Sequence, residues 1–156
     1  IVLAIGLAAY AAYRGVWTVP GTDRAPALPC PTQPTSMDHS LIRVSVFNGS
    51  DRRGLATDVA KVMQRRDFVV PEIANADSQV KGVAVIRFGP EAQEQARIVA
   101  AQLDGKVKYE QDDERTDTSV ELVLGQKFKK FRSAKAADKL TAPQPVPEPK
   151  GCIKLH

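Results

Sequence analysis

At 156 residues the chain has room for one domain of ordinary size with flanking segments. It carries 22 Lys and Arg against 18 Asp and Glu, a formal net charge of +4. That charge is segmental: residues 41–126 hold slightly more acids than bases, and the excess comes from Lys127, Lys129, Lys130, Arg132, Lys135, Lys139, Lys150 and Lys154. The overall basicity is therefore no argument for a nucleic-acid partner, and none is expected.

Residues 1–19 open with an apolar run that meets no charge until Arg14. A bilayer-spanning helix needs roughly 20 apolar residues, and this run is shorter. With no initiator methionine in front of Ile1, the segment is expected to be the outer part of a transmembrane helix. Tyr10, Tyr13 and Trp17 would then lie at the membrane interface, where amphipathic rings collect. A signal-peptide core and a buried helix are the alternatives.

Residues 20–40 are dense in proline, threonine and small residues, the composition of an extended linker. This linker carries Cys30, and the only other cysteine, Cys152, lies in a second proline-rich stretch. Two cysteines so placed make a poor metal site. They would pair as a disulfide if the domain is exported and stay as free thiols otherwise.

The domain expected over residues 41–128 begins with alternation. Ile42, Val44 and Val46 point one way, Arg43 and Ser45 the other, and Phe47 closes the run, which is the period of a strand. Asn48-Gly49-Ser50 makes a turn, after which Leu55, Val59, Val62 and Met63 recur at helical spacing. Phe68, Val69, Val70 and Ile73 read as a second strand, and Val83 to Phe88 as a third, stopped by Gly89-Pro90. Pro90 suits a helix start, and Ala92, Ala96, Val99, Ala100 and Leu103 give a second amphipathic helix ending near Gly105. Val107 with Tyr109, and then Val120, Leu122 and Leu124, add two strands. The expected fold is α/β (α+β) in β-α-β-β-α-β-β order, two helices on one face of a small sheet, its first six elements in a split β-α-β arrangement. Residues 129–156 form a basic and proline-rich tail. Phe128 and Phe131 either belong to a short surface helix that touches anionic lipid or wall polymer, or cover an open edge of the core.

Arg52 and Arg53 stand where the first helix begins, and a helix N-terminus favours anions. Asn48, Gly49, Arg52 and Arg53 are therefore the candidate ligand-binding set, for a phosphate or a carboxylate. The plainer account is that Asn48 and Gly49 shape the turn, Ser50 or Asp51 caps the helix, and the arginines are solvated. The lysine-plus-hydroxyl pair of a P-loop is missing. Asp112, Asp113, Glu114 and Asp117 lack the ligand spacing and glycine of a calcium loop. His39 lies in the linker and His156 at the terminus, neither with a nucleophile or a metal-ligand repeat around it. No catalytic residue, metal or cofactor is expected, and the chain does not read as an enzyme.

The stretches VSVFNGSDRRGLATDVAKVMQRRDFVV, NADSQVKGVAVIRFGPEAQEQARIVAAQL and VELVLGQKF together resemble the LytR-type C-terminal domain (LytR_C). That is the small module appended to LytR-CpsA-Psr cell-envelope proteins of Gram-positive bacteria. The resemblance covers about Leu41 to Phe128. It rests on Val44, Val46, Asn48 and Gly49 at the turn, on Gly54-Leu55-Ala56, and on the closing Leu124-Gly125. A membrane anchor, a proline-rich linker, this module alone and outer cysteines are similar to single-domain members concerned with envelope integrity. The resemblance implies a single-pass plasma-membrane protein with its domain on the extracytoplasmic side. It implies no phosphotransferase activity, because that chemistry belongs to a separate domain of the larger relatives. The expected function is binding of an anionic cell-wall polymer or a lipid-linked envelope intermediate. The rival is a protein-interaction scaffold for envelope-assembly enzymes.

Overall fold

The computed structural model describes residues 29–32, 34–148, 150, 152 and 153. The expected membrane helix over residues 1–19 lies outside them; among the described residues no helix is long and apolar enough to cross a membrane. The chain divides into two compact units, one gathering both ends (Ile1–Pro34 with Pro145–His156), the other spanning Thr35–Gln144. In the first unit Cys30 and Cys152 are joined in a disulfide, with Cα atoms 4.8 Å apart. The Cys30 amide donates to the Ile153 carbonyl at 2.9 Å beside them.

The second unit is an α/β domain built on five strands: β1 (Val44–Asn48), β2 (Ile73–Asn75), β3 (Ala84–Phe88), β4 (Lys108–Gln111) and β5 (Val120–Leu124). They stand in the order β2-β1-β5-β3-β4. β1 is parallel to β2 and β5, β3 is parallel to β4, and β3 and β5 are antiparallel. The β-α-β-β-α-β-β order holds, but the split arrangement does not. Each strand–helix–strand unit keeps its two strands as neighbours, and β5 enters between the two units. Its side chains match that place: Val120, Leu122 and Leu124 on one face and Val123 on the other are all buried.

Register lays the side chains out in rows across the sheet. Ile73, Val46, Leu122, Ile86 and Tyr109 form one row; its three inner members are fully buried, while Ile73 and Tyr109 at the edges are 44% and 50% exposed. This face meets α1 (Leu55–Gln64) and α2 (Gln93–Ala101). α1 buries Leu55, Ala56, Val59, Ala60 and Met63 against it, and α2 buries Ala96, Ile98 and Val99. The neighbouring rows, Phe47-Val123-Val85-Lys108 and Ser45-Glu121-Arg87-Glu110, point to the opposite face.

Two elements differ from the sequence reading. The second strand falls at Ile73–Asn75, not from Phe68 onward. Phe68 is a core residue, Val69 makes a single bridge to Arg43, and Pro71, which has no N–H to donate, interrupts the ladder. Residues beyond 128 also belong to the compact unit. Phe128 is 4% exposed in the core, Phe131 packs edge-on against it, and α3 (Ala134–Thr141) follows, packed on α2 with Ala137 fully buried. Arg66 fastens this segment by donating to Gln102 Oε1 (2.6 Å) and to the Arg132 carbonyl (2.7 Å), with its guanidinium 5.2 Å from the Phe131 ring centre.

Gly49 and Gly125 sit where backbones touch. A Cβ on Gly49 would stand 2.9 Å from the Leu124 carbonyl oxygen, and one on Gly125 would collide with the Gly82 carbonyl. Gly82 has open space around it. Gly125→Ala should therefore lower unfolding free energy by about 1–3 kcal/mol through overpacking, whereas Gly82→Ala should stay within about 0.5 kcal/mol of the parent. Urea unfolding followed by circular dichroism checks both; equal midpoints for the two variants would remove the close approach.

Candidate functional site

Because β1 and β2 are parallel, their carboxyl ends lie on the same edge of the sheet. The loops that follow them, Asn48 to Gly54 and Asn75 to Gln79, line one cleft of about 460 Å³. Open parallel sheets present ligand sites at this end. The cleft contains all four residues singled out in the sequence, Asn48, Gly49, Arg52 and Arg53, with Asp51 and Asp77 beside them. Two acids and two bases leave it formally neutral.

The four residues divide by what they already hold. Asn48 builds the loop: its Oδ1 accepts from the Ser50 amide (3.1 Å) and hydroxyl (2.8 Å), and its Nδ2 donates to the Arg52 carbonyl (2.8 Å). Gly49 is buried, its amide donating to Leu124 O at 2.8 Å and its carbonyl accepting from Val80 N at 2.7 Å. Neither peptide group of Gly49 is left for a ligand. Arg52 and Arg53 are exposed, and among the described residues neither makes an ion pair. The Arg52 guanidinium lies 5.9 Å from the Phe128 ring centre, which limits its swing.

Neither Ser50 nor Asp51 caps the helix. The N-cap of α1 is Gly54, in left-handed conformation (φ 74°), and it offers no side-chain oxygen to the first-turn amides. The Ser50 hydroxyl is turned instead to the Arg52 amide, at 3.2 Å. Glycine at this position makes the helix start legible only through its backbone need, a left-handed turn that an L side chain resists. The result is a helix whose N-cap, Gly54, lines the cleft next to two arginines and lends no side-chain acceptor to the first turn.

The other candidate groups are structural. His39 stands in a short 3-10 turn, its Nδ1–H donating to the Arg66 carbonyl at 2.9 Å and its ring stacked on Phe68 at 4.3 Å. The acidic loop spends three of its four carboxylates on local hydrogen bonds. Asp112 accepts from the Glu114 amide, Asp113 from the Gln111 side chain, and Asp117 from both the amide and hydroxyl of Ser119. Those two Ser119 hydrogen bonds hold the Asp117 carboxyl below its ordinary range. Among the described residues, the one group of three potential metal ligands is Cys30, Glu148 and Cys152; its sulfurs are committed to the disulfide and are not thiolates.

Residues 41–128 match the family described as LytR cell envelope-related transcriptional attenuator, LytR_C. The chain belongs to this family. Among solved structures, the chain is similar to the soluble domain of a conserved hypothetical secreted protein (Rv2700 ortholog) from Mycobacterium marinum. The two share 26% sequence identity at a TM-score of 0.58, over 78% of this chain and 90% of that one. No curated protein matches the chain. The family match ends at residue 128, so α3 belongs to the compact unit but falls outside the matched segment.

Asn48 gives a direct check on the loop. Asn48→Ala removes three hydrogen bonds and should cost about 1–2 kcal/mol, with faster hydrogen exchange at the Ser50 and Arg52 amides. Asn48→Asp keeps the acceptor for Ser50 but sets a second oxygen against the Arg52 carbonyl, so protection of the Ser50 amide should survive while stability still falls. Unchanged exchange in Asn48→Ala would show that the loop is held by other means.

Proposed function

We propose that this chain is a non-catalytic cell-envelope protein whose extracytoplasmic α/β domain binds an anionic group of a wall polymer or a lipid-linked envelope intermediate. Membership of LytR_C supports an envelope setting. A structural relative described as secreted and a disulfide, a bond that persists in oxidising compartments, support placement outside the cytoplasm. Tethering falls to the apolar residues 1–19. The observation that carries the binding reading is the start of α1, whose N-cap Gly54 lines the cleft without a side-chain cap, flanked by Arg52 and Arg53, which make no ion pair among the described residues. Helix amides and guanidinium groups together suit a phosphate or carboxylate. Among the described residues no histidine or cysteine lines the cleft, and the role proposed for it is binding without turnover.

The rival role, a scaffold for envelope-assembly enzymes, draws on a separate observation. Both edge strands carry an exposed apolar side chain, Ile73 on β2 and Tyr109 on β4, and an edge offers unpaired backbone groups to a partner strand. The two roles respond differently to salt, because screening weakens an exposed arginine–anion contact far more than an apolar one.

Co-sedimentation of the full chain with purified wall sacculi, stripped or unstripped of anionic polymer, separates them. Pelleting should fall as salt rises and be reduced about tenfold by Arg52→Glu with Arg53→Glu, the scale of losing one charged hydrogen-bonding pair. Those side chains are exposed, so the melting temperature should hold. Salt-insensitive capture of envelope proteins by the same double variant would favour the scaffold.

A further inference from the structure

We propose that the face of the sheet turned away from the helices carries a second binding site, a lysine-edged groove that takes a linear polyanion. The groove has a volume of about 630 Å³, larger than the cleft at Arg52. Its charged lining is Lys81, Arg87, Lys106, Lys108 and Lys127 against a single acid, Glu110. These residues come from separated parts of the chain: the loop before β3, β3 itself, the turn into β4, β4, and the segment after β5. Register explains part of the convergence, since Val85 faces Lys108 and Arg87 faces Glu110 across parallel strands. The backbone supplies the rest. Lys127 N donates to Gly82 O at 3.0 Å and Gln126 N to Val80 O at 2.8 Å, which pulls the Lys81 loop and Lys127 together.

Glu110 neutralises only its own neighbours. It bonds Lys108 at 2.9 Å and Arg87 at 3.0 Å, and these two hydrogen bonds, Lys108 first, hold its carboxyl below the ordinary range. Lys81, Lys106 and Lys127 are exposed and make no ion pair among the described residues. Three unmatched cations around one groove call for a ligand with several negative charges, not one. Lysine is a compact charge on a flexible stem, suited to successive charges on a flexible chain; the planar fork of arginine suits one bidentate group. Val83, Val85 and Val107 form an apolar floor, and the low dielectric of such a wall strengthens attraction to anions lying over it. No aromatic ring lines the groove, so stacking on neutral sugar does not supply the recognition. A phosphodiester- or carboxylate-bearing polymer fits these features. The groove and the Arg52 cleft share Ser78 and Gln79 as a common wall, yet the groove binds whether or not the cleft does.

The test uses the full chain in non-ionic detergent with fluorescently labelled inorganic polyphosphate, read by anisotropy across a salt series. Lys81→Glu, Lys106→Glu and Lys127→Glu together should weaken binding about tenfold or more and flatten the log–log salt slope by about two, as fewer counterions are released. A control reverses three exposed cations elsewhere, Lys61, Arg65 and Lys135, and matches the net charge. It should weaken binding much less. Glu110→Gln, which removes the negative charge paired with Lys108 and Arg87, should tighten binding. Equal losses in the groove and control variants would overturn the site by reducing it to overall charge, and no gain in Glu110→Gln would overturn it by showing that Lys108 and Arg87 take no part in binding. Groove-dependent binding to phosphatidylglycerol-containing vesicles, with none to polyphosphate, would also overturn it in favour of a membrane surface. Arg52→Glu with Arg53→Glu should leave polyphosphate binding near that of the control, so failure of the cleft and failure of the groove read out separately.

Discussion

The domain depends on a strand that comes last among the five in sequence and stands at the centre of the sheet. β5 hydrogen-bonds β1 on one side and β3 on the other, and its inward residues are fully buried. Until it docks, the two strand–helix–strand units share no edge. Its exit matters as much as its body. Leu124 O receives the Gly49 amide, Gly125 N donates to Val83 O, and the next two amides donate to Val80 and Gly82. One short segment therefore fixes the loop that makes the cleft and the loop that walls the groove. These contacts join residues far apart in sequence, the kind whose loop-closure cost slows folding.

Much of this architecture was legible, and the illegible parts have a common cause. Alternation in Val44 and Val46, in Ile86 and Phe88, and in Leu122 and Leu124 reports burial on one face, and burial is what a strand pattern encodes. Helical spacing in Leu55, Val59 and Met63 is equally local. Strand order is not local. Nothing in the pattern of Val120 to Leu124 says which strands it will lie between, so the expected split arrangement gave way to two intact units around β5. The misplaced second strand has a narrower reason. Phe68 and Val69 are as apolar as a strand requires, but Pro71 breaks the ladder and moves the pairing to Ile73.

The same distinction governs the sites. The Asn48-Gly49 turn is visible in sequence because turn chemistry is carried by adjacent residues. The helix cap is not visible in the same way, because Ser50 has the side chain of a cap and spends it on the Arg52 amide instead. Charge was hardest to read. The conspicuous runs are the acidic loop and the basic tail, yet the loop consumes its three aspartates in local hydrogen bonds. The tail follows directly on Phe128 in the core and packs back through Phe131 and α3. Lys81, Lys106, Lys108 and Lys127 form no run at all; only the fold makes them neighbours.

The disulfide acts on a different level from the core. Its cysteines are 122 positions apart and flank the entire α/β domain, which itself contains no cysteine. The domain's packing is complete in valines, leucines and alanines of the sheet and helices, so the bond is not needed to supply missing apolar contacts. Its effect falls on the unfolded chain. Closing so long a loop removes conformations from the unfolded ensemble, about 4–5 kcal/mol in the chain-entropy account, though the partition between entropy and enthalpy is model-dependent. A domain held this way unfolds into a ring of chain instead of an open coil. Its ends remain together, which shortens the search for long-range contacts on refolding.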